Sequence, residues 1–248
     1  MSVVKKQHFS VGVNTFGSNK MKRLIYQVNV TMDPINFAGN KRFRYVQDLY
    51  KLSHAQARKY AKQVNADYIQ ITDCSYLPDK HPTYQKFKVF EFSDYDQILY
   101  LDSDAVFTDN NPDIFELYGH NDFSATHEVD WESGSAYYKT FRERYNKVLG
   151  ATKEYRPFNA GVMLFNRTFL ERNKDNWRKY LDTFEVKGAQ DQGMFNRLVI
   201  DEGEKYNLLP LDWGTCCRKG KHIIHLFGHK KNNFDIDKFC KLNNLQKP

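Results

Sequence analysis

Short apolar segments with the composition of strands alternate along the chain with longer segments that have the apolar spacing of helices. Segments rich in β-branched and aromatic residues predict strands at 23–30, 67–72, 97–101, 122–126, 160–165, 206–210 and 222–227. Helical spacing predicts helices at 44–65, 84–92, 135–149, 168–183 and 190–200, together with a short helix whose first residue is Pro112. This alternation predicts an α/β fold with a mostly parallel central sheet flanked by helices.

The size and composition of the chain fit one folded domain. It has 248 residues, of which 41% are hydrophobic, and it contains no internal repeat or low-complexity linker. We predict a single domain over 1–248, in which 1–21 form an N-terminal extension and 232–248 a C-terminal tail. No apolar run approaches the roughly 20 residues of a membrane span. The first residues, MSVVKKQHFSVGVN, lack the long apolar stretch of a secretory signal. These features predict a soluble, cytoplasmic protein.

Neither the charge nor the cysteines assign a partner by themselves. The formal net charge of +7 is compatible with nucleic acid, an acidic membrane surface or a substrate that carries phosphates. Lys and Arg are scattered, however, without the basic stripe that follows a nucleic-acid backbone, so no nucleic-acid partner is expected. Cys74, Cys216, Cys217 and Cys240 match no common zinc-binding spacing, and free thiols are expected.

The segment ILYLDSDAVF places two carboxylates at the end of a predicted buried strand. Residues two apart in an extended segment point to the same side, so Asp102 and Asp104 converge while Ser103 faces away. Two ionised carboxylates in a partly desolvated cleft repel each other unless a cation lies between them. Hard oxygen ligands suit Mg²⁺ or Mn²⁺. The pair therefore predicts a divalent metal site beyond the carboxyl end of a strand, where α/β sheets bind ligands.

The spacing of this aspartate pair is not specific by itself. Two further triplets of the same form occur, Asp94-Tyr95-Asp96 and Asp235-Ile236-Asp237. The first of these falls in a predicted turn and the second at a predicted helix start, whereas apolar residues flank Asp102 and Asp104 on both sides. The alternative for this pair is a structural role, in which it caps the loop that leads to Pro112.

Four separated motifs carry a resemblance to a known family. They are KFKVFEFSDYDQILYLDSDAVF, FNAGVMLFN (158–166), QDQGMFN (190–196) and HLFGHKK (225–231). In this order they resemble retaining glycosyltransferases of the GT-A fold, chiefly glycosyltransferase family 8, which includes glycogenin and lipopolysaccharide galactosyltransferases. The segment NADYIQITD also resembles glycosyltransferase family 34. The likeness extends from about Arg23 to Phe234 and implies a single Rossmann-like GT-A domain.

The first two motifs imply residues that contact the donor. Lys86 matches a basic residue that approaches the donor; its alternative is a solvated helix lysine. Asn159 is expected near the sugar hydroxyls, with Ala160 and Gly161 letting the backbone come close. The alternative is an ordinary strand start whose glycine eases packing. The resemblance also includes Asp102, Ser103 and Asp104 in the donor site.

The last two motifs imply residues for catalysis, metal binding and diphosphate binding. Asp191 matches an aspartate that accepts hydrogen bonds from sugar hydroxyls, and Gln192 matches a glutamine beside the anomeric carbon. Asp191 is also a favourable residue for a helix N-terminus. His225 is expected to complete the metal ligands with Asp102 and Asp104, although a lone histidine there would more often be a core residue. Gly228 and Lys231 are expected to bind the diphosphate.

The resemblance implies a glycosyltransferase that depends on Mn²⁺ (or Mg²⁺). It would move a sugar from a nucleotide sugar, expected to be a UDP-hexose or UDP-pentose, to a hydroxyl of a glycan or glycoconjugate acceptor. Trp131 and Tyr137, in THEVDWESGSAYY (126–138), are candidates for stacking on the acceptor or are ordinary surface aromatics. The alternatives are a metal-dependent nucleotidyl or phosphoryl transferase and a glycan-binding GT-A module without turnover.

Overall fold

The computed structural model describes residues 21–30, 41–109, 111–127, 143, 147, 150, 155–181, 190–214, 221–226 and 234–248. The expected diphosphate ligands Gly228 and Lys231 lie outside these residues, as do Cys216 and Cys217 and the acceptor candidates Trp131 and Tyr137. Most of the helix predicted at 135–149 lies outside them as well.

A six-stranded sheet forms the centre of the molecule. In chain order its strands are β1 (Arg23–Val28), β2 (Asp67–Ile71), β3 (Gln97–Asp102), β5 (Phe123–His127), β6 (Phe158–Asn166) and β7 (Asn207–Leu209). Their order in the sheet is β2-β1-β3-β6-β5-β7, and β6 alone runs antiparallel to its two neighbours. The mostly parallel sheet is therefore confirmed. A separate antiparallel pair consists of β4 (Ala105–Phe107) and β8 (Ile223–His225).

Helices cover the two faces of the sheet. The described α-helices are α1 (Lys41–Gln63), α2 (Ile114–Tyr118), α3 (Arg167–Asn173), α4 (Gln190–Asp201) and α5 (Ile236–Asn243). Three 3-10 helices span Pro82–Glu91, Trp177–Tyr180 and Leu211–Trp213. The helix predicted at 84–92 is confirmed in position, but it has the tighter 3-10 form.

Two predicted helix boundaries were wrong, because polar side chains end or begin the helices. The helix predicted over 168–183 ends at Asn173, whose side-chain amide donates to the carbonyl of Phe169 (3.0 Å) and competes with the backbone. Pro112 does not begin the short helix. Asp113 caps it instead, since its carboxylate accepts the amide hydrogen bonds of Phe115 (2.9 Å) and Glu116 (3.3 Å).

Strand alternation sends neighbouring residues of β3 into two different cores. Tyr100 packs in the core that contains Phe87 and Trp177, and Leu101 packs in the core beneath α1. Asp102, two residues after Tyr100, lies on the same side of the sheet as Tyr100. The end of β3 therefore faces the 3-10 helix that carries Lys86.

Residues 234–248 pack onto the rest of the protein. Phe234, Phe239 and Cys240 form a third core with Leu49 of α1 and Ile224 of β8. Within the described part of the chain, Cys74 and Cys240 are free thiols, as expected. No helix among the described residues is long and apolar enough to cross a membrane.

Candidate active site

Three candidate metal ligands meet where β3 ends and the β4–β8 pair begins. Asp102 is the last residue of β3, and Asp104 lies in the turn before β4. In the β4–β8 pair, His225 is opposite Ala105, and the amide of Leu226 donates to the carbonyl of Asp104 (2.9 Å). Backbone pairing therefore brings His225 to the aspartate pair across a large separation in sequence.

The side chains of this triad have the donor types and spacing of a cation site. His225 Nε2 lies 3.2 Å from Asp104 Oδ1 and 3.5 Å from Asp102 Oδ2. One ligand atom from each residue falls within 4.8 Å of the others. The predicted convergence of Asp102 and Asp104 is confirmed. Two carboxylate oxygens and an imidazole nitrogen suit Mn²⁺ or Mg²⁺, so the residues present fit the implied ion.

Gly161 makes room for the imidazole of His225. A Cβ atom at this position would lie 2.0 Å from His225 Cε1 and 2.6 Å from Nε2, far inside van der Waals contact. The sequence predicted that Gly161 lets the backbone come close to the donor sugar. The structure adds a second reason for it, because the ring of His225 occupies the space in which a side chain would lie.

Replacing Gly161 with alanine is expected to weaken Mn²⁺ binding by roughly 10- to 100-fold, because the ring must move away from the carboxylates. Overpacking should also lower the free energy of unfolding by about 1–3 kcal/mol. Isothermal titration with Mn²⁺ and urea denaturation measure the two effects. In a His225→Ala background the added methyl group has space, so Gly161→Ala should then have little further effect on either quantity. An equal effect in both backgrounds would contradict the steric explanation.

Lys86 is a buried cation between two carboxylates. Its side chain is 2% exposed, its Nζ lies 3.2 Å from Asp102 Oδ1, and it forms an ion pair with Asp191. Nζ also donates to the carbonyl of Ala160 (3.3 Å). The alternative of a solvated helix lysine is therefore wrong. Lys86 instead connects the candidate metal ligand Asp102 to the beginning of α4.

The pKa shifts follow from this arrangement of charges. Burial alone would lower the pKa of His225, but the neighbouring carboxylates of Asp102 and Asp104 raise it to about 9. Burial opposes ionisation of Asp102, yet Lys86 and His225 hold its pKa below the ordinary value. Burial would also lower the pKa of Lys86, but Asp102 and Asp191 outweigh it, and the pKa is raised. The potential between the carboxylates therefore favours a positive charge.

The remaining described residues of the predicted donor site surround this centre. Asp191 lies in the first turn of α4, where a carboxylate is favourable, and it also forms an ion pair with Lys86. The two interpretations of Asp191, as a helix-start residue and as a residue of the site, are therefore compatible. The amide of Ala160 donates to Gln192 Oε1 (3.4 Å), and Asn159 Oδ1 accepts from the amide of Gly161 (2.8 Å). The start of β6 and the start of α4 are thus held together.

Ser103 turns away from the carboxylates, as the sequence predicted. Its hydroxyl donates to the carbonyl of Val28 at the end of β1 (2.5 Å). This contact ties the turn between Asp102 and Asp104 to the neighbouring strand. A direct contact between Ser103 and the donor stays a prediction.

Asn196 is a residue of the site that the sequence reasoning did not single out. It is fully buried, and its side-chain oxygen accepts from the amide of Phe158 (3.0 Å) and the hydroxyl of Tyr155 (2.8 Å). Its side-chain nitrogen donates to the carbonyls of Phe158 (3.0 Å) and Gln192 (2.8 Å). Asn196 therefore connects α4 to the start of β6. The available signal was a polar residue at the end of the QDQGMFN motif, directly after Met194 and Phe195.

A second group that the sequence reasoning missed supports the backbone of the aspartate turn. Gln27 Nε2 donates to the carbonyl of Asp102 (3.3 Å) and to Ser53 Oγ (2.9 Å), and the Ser53 hydroxyl donates to the carbonyl of Ala105 (2.5 Å). His54 Nδ1 donates to Gln27 Oε1 (2.8 Å). Gln27 and Ser53 are fully buried. A polar network between β1 and α1 therefore fixes the backbone at both ends of the turn from Asp102 to Ala105, which carries the candidate metal ligands Asp102 and Asp104.

This network predicts a pH-dependent stability. Burial and the nearby Arg58 lower the pKa of His54 from 6.5 to about 4. Between pH 6.5 and about 4 the imidazole of His54 therefore binds a proton in the unfolded chain but stays neutral in the folded chain. The free energy of unfolding should decrease as pH falls from 6.5 to 4, by up to about 3 kcal/mol from this residue. Urea denaturation at pH 7 and pH 5 should show a smaller decrease for His54→Gln than for the wild type. The exposed His120 provides the control, since His120→Gln should keep the wild-type pH dependence.

Known protein structures with a similar fold support the predicted fold class, and a sequence profile identifies the family of the chain. The structure is similar to the apo structure of the bifunctional glycosyltransferase WbbM, with a TM-score of 0.52 and 16% identity over 93% of this chain and 45% of that chain. The GT-A glycosyltransferase fold is thereby confirmed. The sequence profile of glycosyl transferase family 8 matches residues 41–231. The chain belongs to this family.

Individual relatives share at most a quarter of their aligned residues with this chain in the two comparisons that follow. The glycosyltransferase GlyE of Streptococcus pneumoniae serotype 4 (strain ATCC BAA-334 / TIGR4) is 25% identical over 201 residues, which are 73% of this chain and 44% of the relative. The chain thus matches less than half of that protein's length. The galactosyltransferase LgtC, in complex with donor and acceptor sugar analogues, has a TM-score of 0.48 and 16% identity over 90% of this chain and 95% of that chain.

Proposed function

We propose that this protein is a metal-dependent retaining glycosyltransferase. It transfers a sugar from a nucleotide sugar, with a UDP-hexose or UDP-pentose as the proposed donor, to a hydroxyl of a glycan or glycoconjugate. The observation that carries the proposal is the convergence of Asp102, Asp104 and His225 beside the buried pair of Lys86 and Asp191, in a chain of family 8.

Asp102, Asp104 and His225 are the residues that would hold Mn²⁺ or Mg²⁺. Such an ion, when bound, supplies Lewis-acid stabilisation of the leaving diphosphate. Lys86 keeps Asp102 ionised, because a buried ammonium beside a carboxylate stabilises its charged form, and Lys86 also forms an ion pair with Asp191. Gly228 and Lys231 are proposed to bind the diphosphate from the other side, through a backbone amide and an ammonium group.

Asp191 and Asn159 are proposed to orient the donor sugar. Asp191 is partly exposed, so an oxygen of its carboxylate can accept hydrogen bonds from sugar hydroxyls while Lys86 holds the side chain. Its negative charge also stabilises the partial positive charge of an oxocarbenium-like transition state. Ala160 and Gly161 provide backbone without bulky side chains on the same side of the site.

Gln192 is poorly suited to form a lasting covalent intermediate. It is a neutral amide, and its oxygen already accepts a hydrogen bond from the amide of Ala160. We therefore favour attack by the acceptor hydroxyl on the face from which the diphosphate departs. The departing phosphate oxygen takes up the acceptor proton, and the configuration at the anomeric carbon is retained.

Donor hydrolysis tests this function without knowledge of the acceptor. The full-length protein is incubated with Mn²⁺ and a panel of nucleotide sugars, and release of free nucleotide is measured. We expect release from one donor, dependence on the metal, and loss of release when a chelator is added. Saturable glycan binding without release from any donor would support the binding-module alternative. Transfer of a phosphoryl or nucleotidyl group would support the phosphoryl-transferase alternative.

A further inference from the structure

The two oxygens of the Asp102 carboxylate have different surroundings. Oδ1 accepts a hydrogen bond from the hydroxyl of Tyr100 and lies 3.2 Å from Lys86 Nζ. Oδ2 faces the imidazole of His225, with Nε2 at 3.5 Å. One oxygen is therefore engaged inside the protein, whereas the other belongs to the candidate metal site.

Tyr100 is held firmly in the position from which it makes this contact. It is 1% exposed, and its ring centroid lies 4.9 Å from that of Tyr26. Lys86 Nζ lies 4.9 Å from the centroid of the same ring. Because Tyr100 precedes Asp102 by two residues in β3, both side chains leave the strand on one side, and the hydroxyl reaches the carboxylate.

We propose that Tyr100 is a positioning residue that determines which metal the site prefers. By occupying Oδ1, together with Lys86, it leaves Asp102 with Oδ2 alone for a cation. Mg²⁺ requires a near-octahedral shell with short bonds, and Mn²⁺ also binds octahedral oxygen sites, whereas Ca²⁺ readily takes both oxygens of one carboxylate in a larger, more flexible shell. Tyr100 therefore favours Mn²⁺ or Mg²⁺ over Ca²⁺. This inference rests on the proposed metal-dependent function.

A purely structural role for Tyr100 makes a different prediction. If its hydroxyl only satisfied a buried hydrogen bond, its removal would weaken the site for every divalent ion by a similar factor. If the hydroxyl restricts Asp102 to one oxygen, its removal changes the relative affinity for Mn²⁺ and Ca²⁺. The ratio of the two dissociation constants therefore separates the two roles.

The test compares the full-length wild type with Tyr100→Phe, which keeps the ring and its packing against Tyr26. Mn²⁺ alone is titrated by electron paramagnetic resonance of the free ion, and Ca²⁺ is measured by competition. We expect the Mn²⁺ dissociation constant to rise by roughly 10-fold, and the Ca²⁺ constant to rise by less than about 3-fold or to fall.

Tyr60→Phe is the matched control. Tyr60 is also buried, and its hydroxyl donates to the carbonyl of Pro112 (2.7 Å) and accepts from the amide of Ile114 (2.9 Å), on the opposite face of the sheet. The control loses a similar hydroxyl and should leave both metal constants unchanged. Equal changes for Mn²⁺ and Ca²⁺ in Tyr100→Phe, or no change, would overturn the inference and leave the metal site intact. Absence of Mn²⁺ binding by the wild type would overturn both this inference and the proposed metal dependence.

Discussion

Replacing Asp104 with asparagine is expected to reduce nucleotide release from the donor by at least about 1000-fold, which corresponds to roughly 4 kcal/mol of transition-state stabilisation. Asparagine keeps the size of the side chain but removes a buried negative charge that faces His225. The protein should stay folded, since the substitution also removes repulsion between Asp104 and Asp102. Nucleotide release with the donor and Mn²⁺ measures the effect on activity.

Thermal unfolding provides a second measurement for the same variant. An ion that binds only the folded state raises the unfolding temperature as its concentration increases. We expect Mn²⁺ to stabilise the wild type and not Asp104→Asn. Asp109→Asn is the control, because Asp109 pairs with Lys59 at the surface and should behave as the wild type. If Asp104→Asn kept both donor turnover and stabilisation by Mn²⁺, the cation site would have to lie elsewhere.

Asn196→Ala is expected to produce the largest loss of stability, about 3 kcal/mol in the free energy of unfolding. The substitution leaves the amide and the carbonyl of Phe158 without their partner in a buried environment, and each such group costs about 1–3 kcal/mol. The contact with Gln192 is also lost, so donor turnover should fall even at temperatures at which the variant is folded. Urea denaturation and donor hydrolysis measure the two effects.

Asn173→Ala separates these two effects. Asn173 is also buried, and its amide donates to the carbonyl of Phe169 and to Glu204 (2.8 Å), within and beside α3. This variant should lose stability while its turnover per folded molecule stays at the wild-type value. If Asn173→Ala and Asn196→Ala lost turnover equally, the assigned role of Asn196 in positioning α4 would be wrong.

The local sequence pattern was sufficient to predict most strands of the central sheet and the convergence of Asp102 and Asp104. Runs such as ILYL and AGVMLF identify buried strands because apolar composition and flanking turn residues are local properties. The direction of β6 and the pairing of β4 with β8 were not predicted from the pattern. Strand pairing depends on contacts between distant segments, and a run of apolar residues reads the same in either direction.

Polar residues inside the protein were the harder part of the site. Asn196, Gln27 and Ser53 look like ordinary polar residues in sequence, because their burial depends on partners from other elements. Lys86 was suggested by a family motif, and only the structure places it between Asp102 and Asp191. Buried polar groups need hydrogen-bond partners that a single segment does not contain, so local patterns identify them poorly.

The pairing of β4 with β8 has a consequence for biosynthesis. A nascent chain can expose Asp102 and Asp104 long before the ribosome has made His225, and among the described residues β4 has no strand partner until β8 emerges. Residues 234–248, which pack against β8 and α1, are translated later still. The three candidate ligands can therefore meet only after the chain has been translated beyond His225, so a product truncated before β8 would contain Asp102 and Asp104 but lack the third candidate ligand.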